Sequence, residues 1–161
     1  MHRVVLGIGG NLGNREALLK RAERMLSKEM SLMAKSGIYE SEAWGGNSTG
    51  WYLNRVLIME SNLEPFQTLD FIQSIENRLG RRRGEKWGNR TMDIDILYFD
   101  DQIIHTDRLK VPHPQLEHRN FVLAPLAELL PDYLHPEVGR SHKELLNLSH
   151  DPLKVRLLPD L

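Results

Sequence analysis

Asp93 and Asp95 stand two residues apart in the run GNRTMDIDILYFDD (88–101), whose apolar alternation reads as a β-strand. Side chains alternate along a strand with period two. The two carboxylates therefore project from one face, and Met92, Ile94, Ile96 and Tyr98 from the other. Neighbouring like charges repel unless water or a cation screens them, and a hard divalent cation held by oxygen ligands does so best. The pair marks either a wet face or a metal site.

Just before it, NRLGRRRGEKWGNR (77–90) carries Arg78, Arg81, Arg82, Arg83, Lys86 and Arg90 against Glu85 alone. A guanidinium fork matches phosphate oxygens, so this loop beside a candidate Mg²⁺ site points to a polyphosphate ligand. A charge run by itself is more often a solvated loop. A second basic patch shifts that balance: TDRLKVPHPQLEHRNF (106–121) supplies Arg108, Lys110, His113 and Arg119. His113, between two prolines, stands out among the histidines; the others read as surface or hydrogen-bonded structure, and they define no Ser/His/Asp grouping. Tyr52 and Asn54 share a strand face, one able to stack a flat ring, the other able to pair with its polar edge. The pair is a small heterocycle pocket, or a core aromatic beside a turn Asn.

The elements that must position these residues follow one another closely. RVVLGI (3–8) is a short apolar strand, and GGNLGN turns into a helix capped by Asn14 with Leu18, Ala22, Met25 and Leu26 as its stripe. GIGGNLGN lacks the third glycine of a dinucleotide fingerprint and any GK[ST], so it reads as a tight strand-to-helix turn. LMAKSGIYES (32–41) and YLNRVLIMES (52–61) are both β-like, separated by EAWGGNSTGW, longer than a hairpin needs. Pro65 opens a second helix with Phe66, Leu69, Ile72, Ile75 and Leu79 at helical spacing, ended by Gly80. The aspartate strand comes next, and the order β-α-β-β-α-β predicts an α+β, ferredoxin-like antiparallel sheet with helices on one face. DDQIIH predicts the turn and return strand of a C-terminal hairpin. FVLAPLAEL and SHKELLNL predict short helices, the second with a Ser141/Glu144 capping box.

With 161 residues, 27% charged and a formal net charge of −1, the chain predicts one globular domain over 1–161 and no chain-wide nucleic-acid surface. The absence of cysteine excludes disulfides, a thiol nucleophile and thiolate zinc sites. No window approaches a membrane span and no signal peptide is evident, so a cytoplasmic protein without membrane partners is expected.

Four motifs coincide: GxGxNLG from Gly7, YLN from Tyr52, WGNRTMDIDILYF from Trp87 and RLKVPHPQLEHRNFVLAPL from Arg108. Together they resemble the 6-hydroxymethyl-7,8-dihydropterin pyrophosphokinase family over nearly the whole chain. The resemblance implies a ferredoxin-like fold and transfer of a diphosphoryl group from ATP to the hydroxymethyl of the pterin, releasing AMP, in folate biosynthesis. It implies that Asp93 and Asp95 bind two Mg²⁺ ions with ATP, and that Arg81 and Arg90 act on the transferring group. Gln73, Arg83, Lys86, Trp87, Ile96, Arg108, Lys110, His113 and Arg119 match positions lining the nucleotide. Ser41, Trp44, Tyr52, Asn54 and Phe121 match the pterin pocket, with Tyr52 and Phe121 as the stacking pair. A monomer acting on ATP and the pterin, without nucleic acid, is expected.

The chain departs from many relatives in Glu42-Ala43-Trp44-Gly45, where a Pro-Pro-Leu-Gly-like run is common, and in Asn89, where Pro is common. Two other readings use the same residues. A Mg²⁺-dependent phosphohydrolase would activate water at the aspartate pair. A ferredoxin-like RNA-binding module would use basic loops and exposed sheet aromatics, but no such aromatic run is present and unscreened aspartates repel phosphate.

Overall fold

The computed structural model describes residues 1–42, 50–80 and 91–159. Along the chain run β1 (His2–Gly10), α1 (Arg15–Leu26), β2 (Ser31–Lys35), β3 (Tyr39–Ser41), β4 (Tyr52–Ser61), α2 (Pro65–Arg78) and β5 (Asp93–Phe99). Then come β6 (Ile104–His105), β7 (Lys110–Val111), a 3-10 turn (Leu116–His118), α3 (Asn120–Leu129), α4 (His142–Leu148) and β8 (Val155–Leu157). The main sheet has the order β5-β1-β4-β3-β8, with β2 also on β4, and its paired neighbours are antiparallel. Because β4 lies between β1 and the β2/β3 pair, this is the split βαβ, ferredoxin-like arrangement expected from the element order.

The helix ends follow from local chemistry. The Asn14 side chain accepts from the Ala17 N–H at 3.2 Å, Pro65 occupies the first turn of α2 where no N–H is needed, and Gly80 takes φ +91° just beyond it. Helices α1 and α2 cover one face of the sheet, packing Leu19, Ala22, Leu26, Ile72 and Ile75 against Leu6, Ile8, Leu57, Met92, Ile94 and Ile96. On the other face, α3 and α4 pack Leu123, Leu126 and Leu145 against Val5, Val56, Ile58, Leu97 and Tyr98. These short helices cover only part of that face. Beyond them lie Gly7, Gly9, Asn54, Asp93 and Asp95, which line a common cavity.

Several local expectations need correction. LMAKSGIYES forms two strands, because the bulged β2 ends at Lys35 and pairing with β4 resumes only at Tyr39. The DDQIIH segment does not return on β5; Ile104–His105 pairs with Lys110–Val111 in a separate two-stranded sheet. Gly7–Gly10 belong to β1, so the tight turn is confined to the residues before Arg15. The buried stripe of α1 is Leu19, Ala22 and Leu26, with Leu18 and Met25 at its margin, and Phe66 on α2 is largely exposed. Tyr98 lies on the aspartate side of β5: Val5 pairs with Tyr98 and Leu6 with Ile96, leaving Leu97 as an extra residue. That bulge shifts the alternation by one and turns Tyr98 under α4.

Candidate active site

The pairing register assembles the site. Gly9 pairs with both Asp93 and Asn54, and Gly7 with Asp95, which places these side chains on one face of three adjacent strands. Tyr52 pairs with Ser41 one step further along that face. The glycines make room. A Cβ on Gly9 would meet Asn54 Oδ1 at 2.4 Å and the Leu53 carbonyl oxygen at 2.6 Å. The Asn54 amide therefore lies close over Gly9, and its Nδ2 donates to Ser41 Oγ at 2.7 Å.

Two cavities meet at Asp95. One, about 230 Å³, is lined on its polar side by Asp95, Arg108, Lys110 and His113 and on its apolar side by Leu69, Ile72, Ile94 and Ile96. The other, about 30 Å³, lies among Gly9, Asn54, Asp93, Asp95, Leu97 and Phe121. A basic rim over an apolar floor suits a nucleotide; the second cavity, with an amide beside an aromatic ring, suits a flat heterocycle.

His113 is held in one tautomer. Its Nδ1 accepts from the Gln115 N–H at 3.2 Å, which leaves Nε2–H facing Asp95 Oδ1 at 4.0 Å. Its own backbone N–H donates to the carbonyl of Leu97, the bulge residue, at 3.1 Å, so the bulge also fixes the proline-flanked segment. Burial lowers the His113 pKa; Asp95 opposes this and Arg119 adds to it, which keeps the ring neutral near pH 7. Arg119 is likewise lowered by burial, against the pull of Asp95, Asp93 and Asp151, so its guanidinium sits within the field of both strand carboxylates.

The donor set bears on the metal. Asp95 has a side chain 45% exposed, and among the described residues no group of three or more His, Asp or Glu side chains is arranged to hold an ion. Two carboxylates side by side on one strand face would suit Mg²⁺, which keeps several waters and is held by one or two carboxylates together with substrate phosphates.

Of the residues expected at the site, Asp93, Asp95, Asn54, Phe121, Ile96, Arg108, Lys110 and His113 line the two cavities. Ser41 joins them through Asn54, Tyr52 through its register and Arg119 through its electrostatics. Gln73 is exposed on α2 and lines neither cavity. Trp44, Arg81, Arg83, Lys86, Trp87 and Arg90 lie outside the described residues. Three features were missed. Gly7 and Gly9 line the smaller cavity, Gly9 directly against Asn54, and their period-two spacing, matching that of the aspartates, was the available signal. Glu76, buried on α2, accepts from the Ile94 N–H at 2.8 Å and so restrains the strand between the two aspartates. Asp70 pairs with Arg108 at the mouth of the larger cavity, and only the fold brings them together.

A ferredoxin-like sheet whose open end brings a basic cleft and a second cavity together at a carboxylate pair suits a phosphoryl-transferring enzyme. The family model of 7,8-dihydro-6-hydroxymethylpterin-pyrophosphokinase (HPPK) matches residues 5–131, and the chain belongs to that family. It is a pyrophosphokinase, a transferase. The chain is 41% identical to the 2-amino-4-hydroxy-6-hydroxymethyldihydropteridine pyrophosphokinase of Aquifex aeolicus over 144 residues, covering 89% of this chain and 90% of that protein. It is 41% identical to the enzyme of the same name from Bacillus subtilis over 126 residues, covering 77% and 75%. Among solved structures it resembles the HPPK-DHPS protein of Plasmodium falciparum with a TM-score of 0.73 at 18% identity, a likeness of fold. That match covers 91% of this chain and 43% of the Plasmodium chain.

Proposed function

We propose that the chain moves the β,γ-diphosphoryl group of Mg²⁺-bound ATP to the hydroxymethyl oxygen of 6-hydroxymethyl-7,8-dihydropterin, releasing AMP, with Asp93 and Asp95 at the junction of the two substrates. The observation that carries this reading is that Asp95 lines both cavities, so a group bound there faces both ligands at once. Ile96, Ile72 and Leu69 take the apolar base of ATP, and Arg108, Lys110, His113 and Arg119 take its phosphates. Neutral His113 offers Nε2–H as a donor to a phosphate oxygen without adding charge. Asn54 and Ser41 read the polar edge of the pterin while Phe121 and Tyr52 stack its ring. Asp93 and Asp95 would hold two Mg²⁺ ions with ATP, and these would supply screening of the phosphate charge and a lowered pKa for the attacking hydroxyl. Arg81 and Arg90 stabilise charge on the transferring group, with Gln73, Arg83, Lys86 and Trp87 on the nucleotide side and Trp44 on the pterin side; these roles rest on the family resemblance.

Incubation with ATP, Mg²⁺ and the pterin tests this against its rivals. Pterin-dependent release of AMP supports the transferase. Hydrolysis of ATP without pterin would indicate water activation instead.

A further inference from the structure

The C-terminal segment lies beyond the matched residues 5–131, yet it touches both walls of the pocket assigned to the pterin. On one side, Asp151 Oδ2 accepts from the Asn120 N–H at 2.9 Å, capping the helix that carries Phe121. On the other, β8 pairs with β3, setting Arg156 opposite Glu40 and Val155 opposite Ser41. The zip extends one residue further: the Glu42 N–H donates to the Lys154 carbonyl at 3.1 Å, and the Lys154 N–H to Glu42 Oε1 at 2.6 Å.

Glu40 is the buried centre of this junction, on the sheet face opposite Ser41. Arg156 Nε donates to its Oε1 at 3.1 Å, and Arg15 Nη1 to its Oε2 at 2.9 Å. The same Arg15 nitrogen also donates to the Trp51 carbonyl at 2.8 Å, while the Arg156 guanidinium covers the Trp51 ring at 5.1 Å from its centroid. Two arginines thus fix Trp51, the residue before Tyr52, to Glu40, the residue before Ser41. A surface ion pair without such partners contributes little. Here one carboxylate joins two guanidiniums, a ring and a backbone carbonyl, and Ser41 and Tyr52 are the cross-strand pair that results.

We infer that the segment Asp151–Leu157 is a strap that sets the geometry of the pterin pocket, with Arg156 as its positioning residue. The inference rests on the placement of the pterin given above. Arg156 has a side chain 67% exposed, so its replacement should leave the fold intact. The test is calorimetric titration of the full chain with pterin in the presence of a non-hydrolysable ATP analogue, with steady-state kinetics beside it. Arg156→Ala should weaken pterin binding three- to tenfold and raise the pterin KM by the same factor. The kcat at saturating pterin and the affinity for the analogue should stay within twofold. Arg156→Lys, which keeps the charge but loses the fork and the stacking, should fall between. Pterin affinity within twofold of the parent in Arg156→Ala, or a parallel loss for the analogue, would overturn the strap. Asn54→Ala, titrated alongside, separates the two failures: if it binds pterin like the parent, the pocket itself has been placed wrongly.

Discussion

Asn54 and Gly9 illustrate how closely the site is fitted at the residue scale. Gly9→Ala would drive a methyl into Asn54 Oδ1 and the Leu53 carbonyl, and the carbonyl cannot swing aside. A cost of about 1–3 kcal/mol in unfolding free energy is expected, with pterin affinity lost more steeply than ATP affinity. Equal losses of both ligands would show that Gly9 matters only to the fold. His2 supplies a pH-dependent prediction. Its Nδ1 lies 2.6 Å from Asp100 Oδ2 and its Nε2 3.2 Å from Glu64 Oε1, and these carboxylates raise its pKa. Asp100, despite the upward push of burial, is held low by the Arg3 N–H and His2. A raised histidine adds stability that is fully present below about pH 6.5 and is lost as pH rises through its folded value. His2→Gln should therefore lower the urea midpoint more at about pH 5.5 than at about pH 8.5. An equal deficit at both values would contradict the pairing.

At the scale of elements, the Leu97 bulge joins the site to the fold. It brings the segment of His113 onto β5 and turns Tyr98 under α4, where the Tyr98 hydroxyl donates to His142 Nε2 at 2.8 Å. His142 Nδ1–H donates to the Leu130 carbonyl at 2.7 Å, and burial lowers the ring's pKa to about 4, so it is neutral and Nε2 is an acceptor. Tyr98→Phe leaves that acceptor buried without its donor, at a cost of about 1–3 kcal/mol. Chemical denaturation should register this loss while pterin affinity stays unaltered. Undiminished stability would mean that the bond does little to hold α4 to the sheet. None of this was legible in the sequence, because the run from Ile96 to Phe99 is apolar at every position and a bulge depends on the partner strand. The aspartate pair itself was legible, since two residues at period two share a face in any register.

For the whole molecule, the β-α-β-β-α-β order was legible because the stripes of the first two helices keep their period and Asn14 and Pro65 mark their starts. The strap was not. Glu40 and Arg156 lie more than a hundred positions apart, and nothing local to either residue signals the other. Arg119 precedes Asn120 and Phe121 at the start of α3, so a nucleotide that drew on Arg119, as proposed, would act on the wall that carries Phe121. A non-hydrolysable ATP analogue should tighten pterin binding at least fivefold, and pterin should tighten the analogue by the same factor. Independent affinities would contradict this coupling.

If Asp93 and Asp95 carry the transfer at the meeting point of the two cavities, pterin-dependent AMP formation should collapse in Asp95→Asn and in the double Asn variant. Asparagine keeps the volume and removes the charge, so both proteins should remain folded and bind pterin. Turnover should fall by two or more orders of magnitude, consistent with about 3 kcal/mol or more of lost charge stabilisation. Near-normal AMP formation in the double variant would show that the two carboxylates do not carry the transfer.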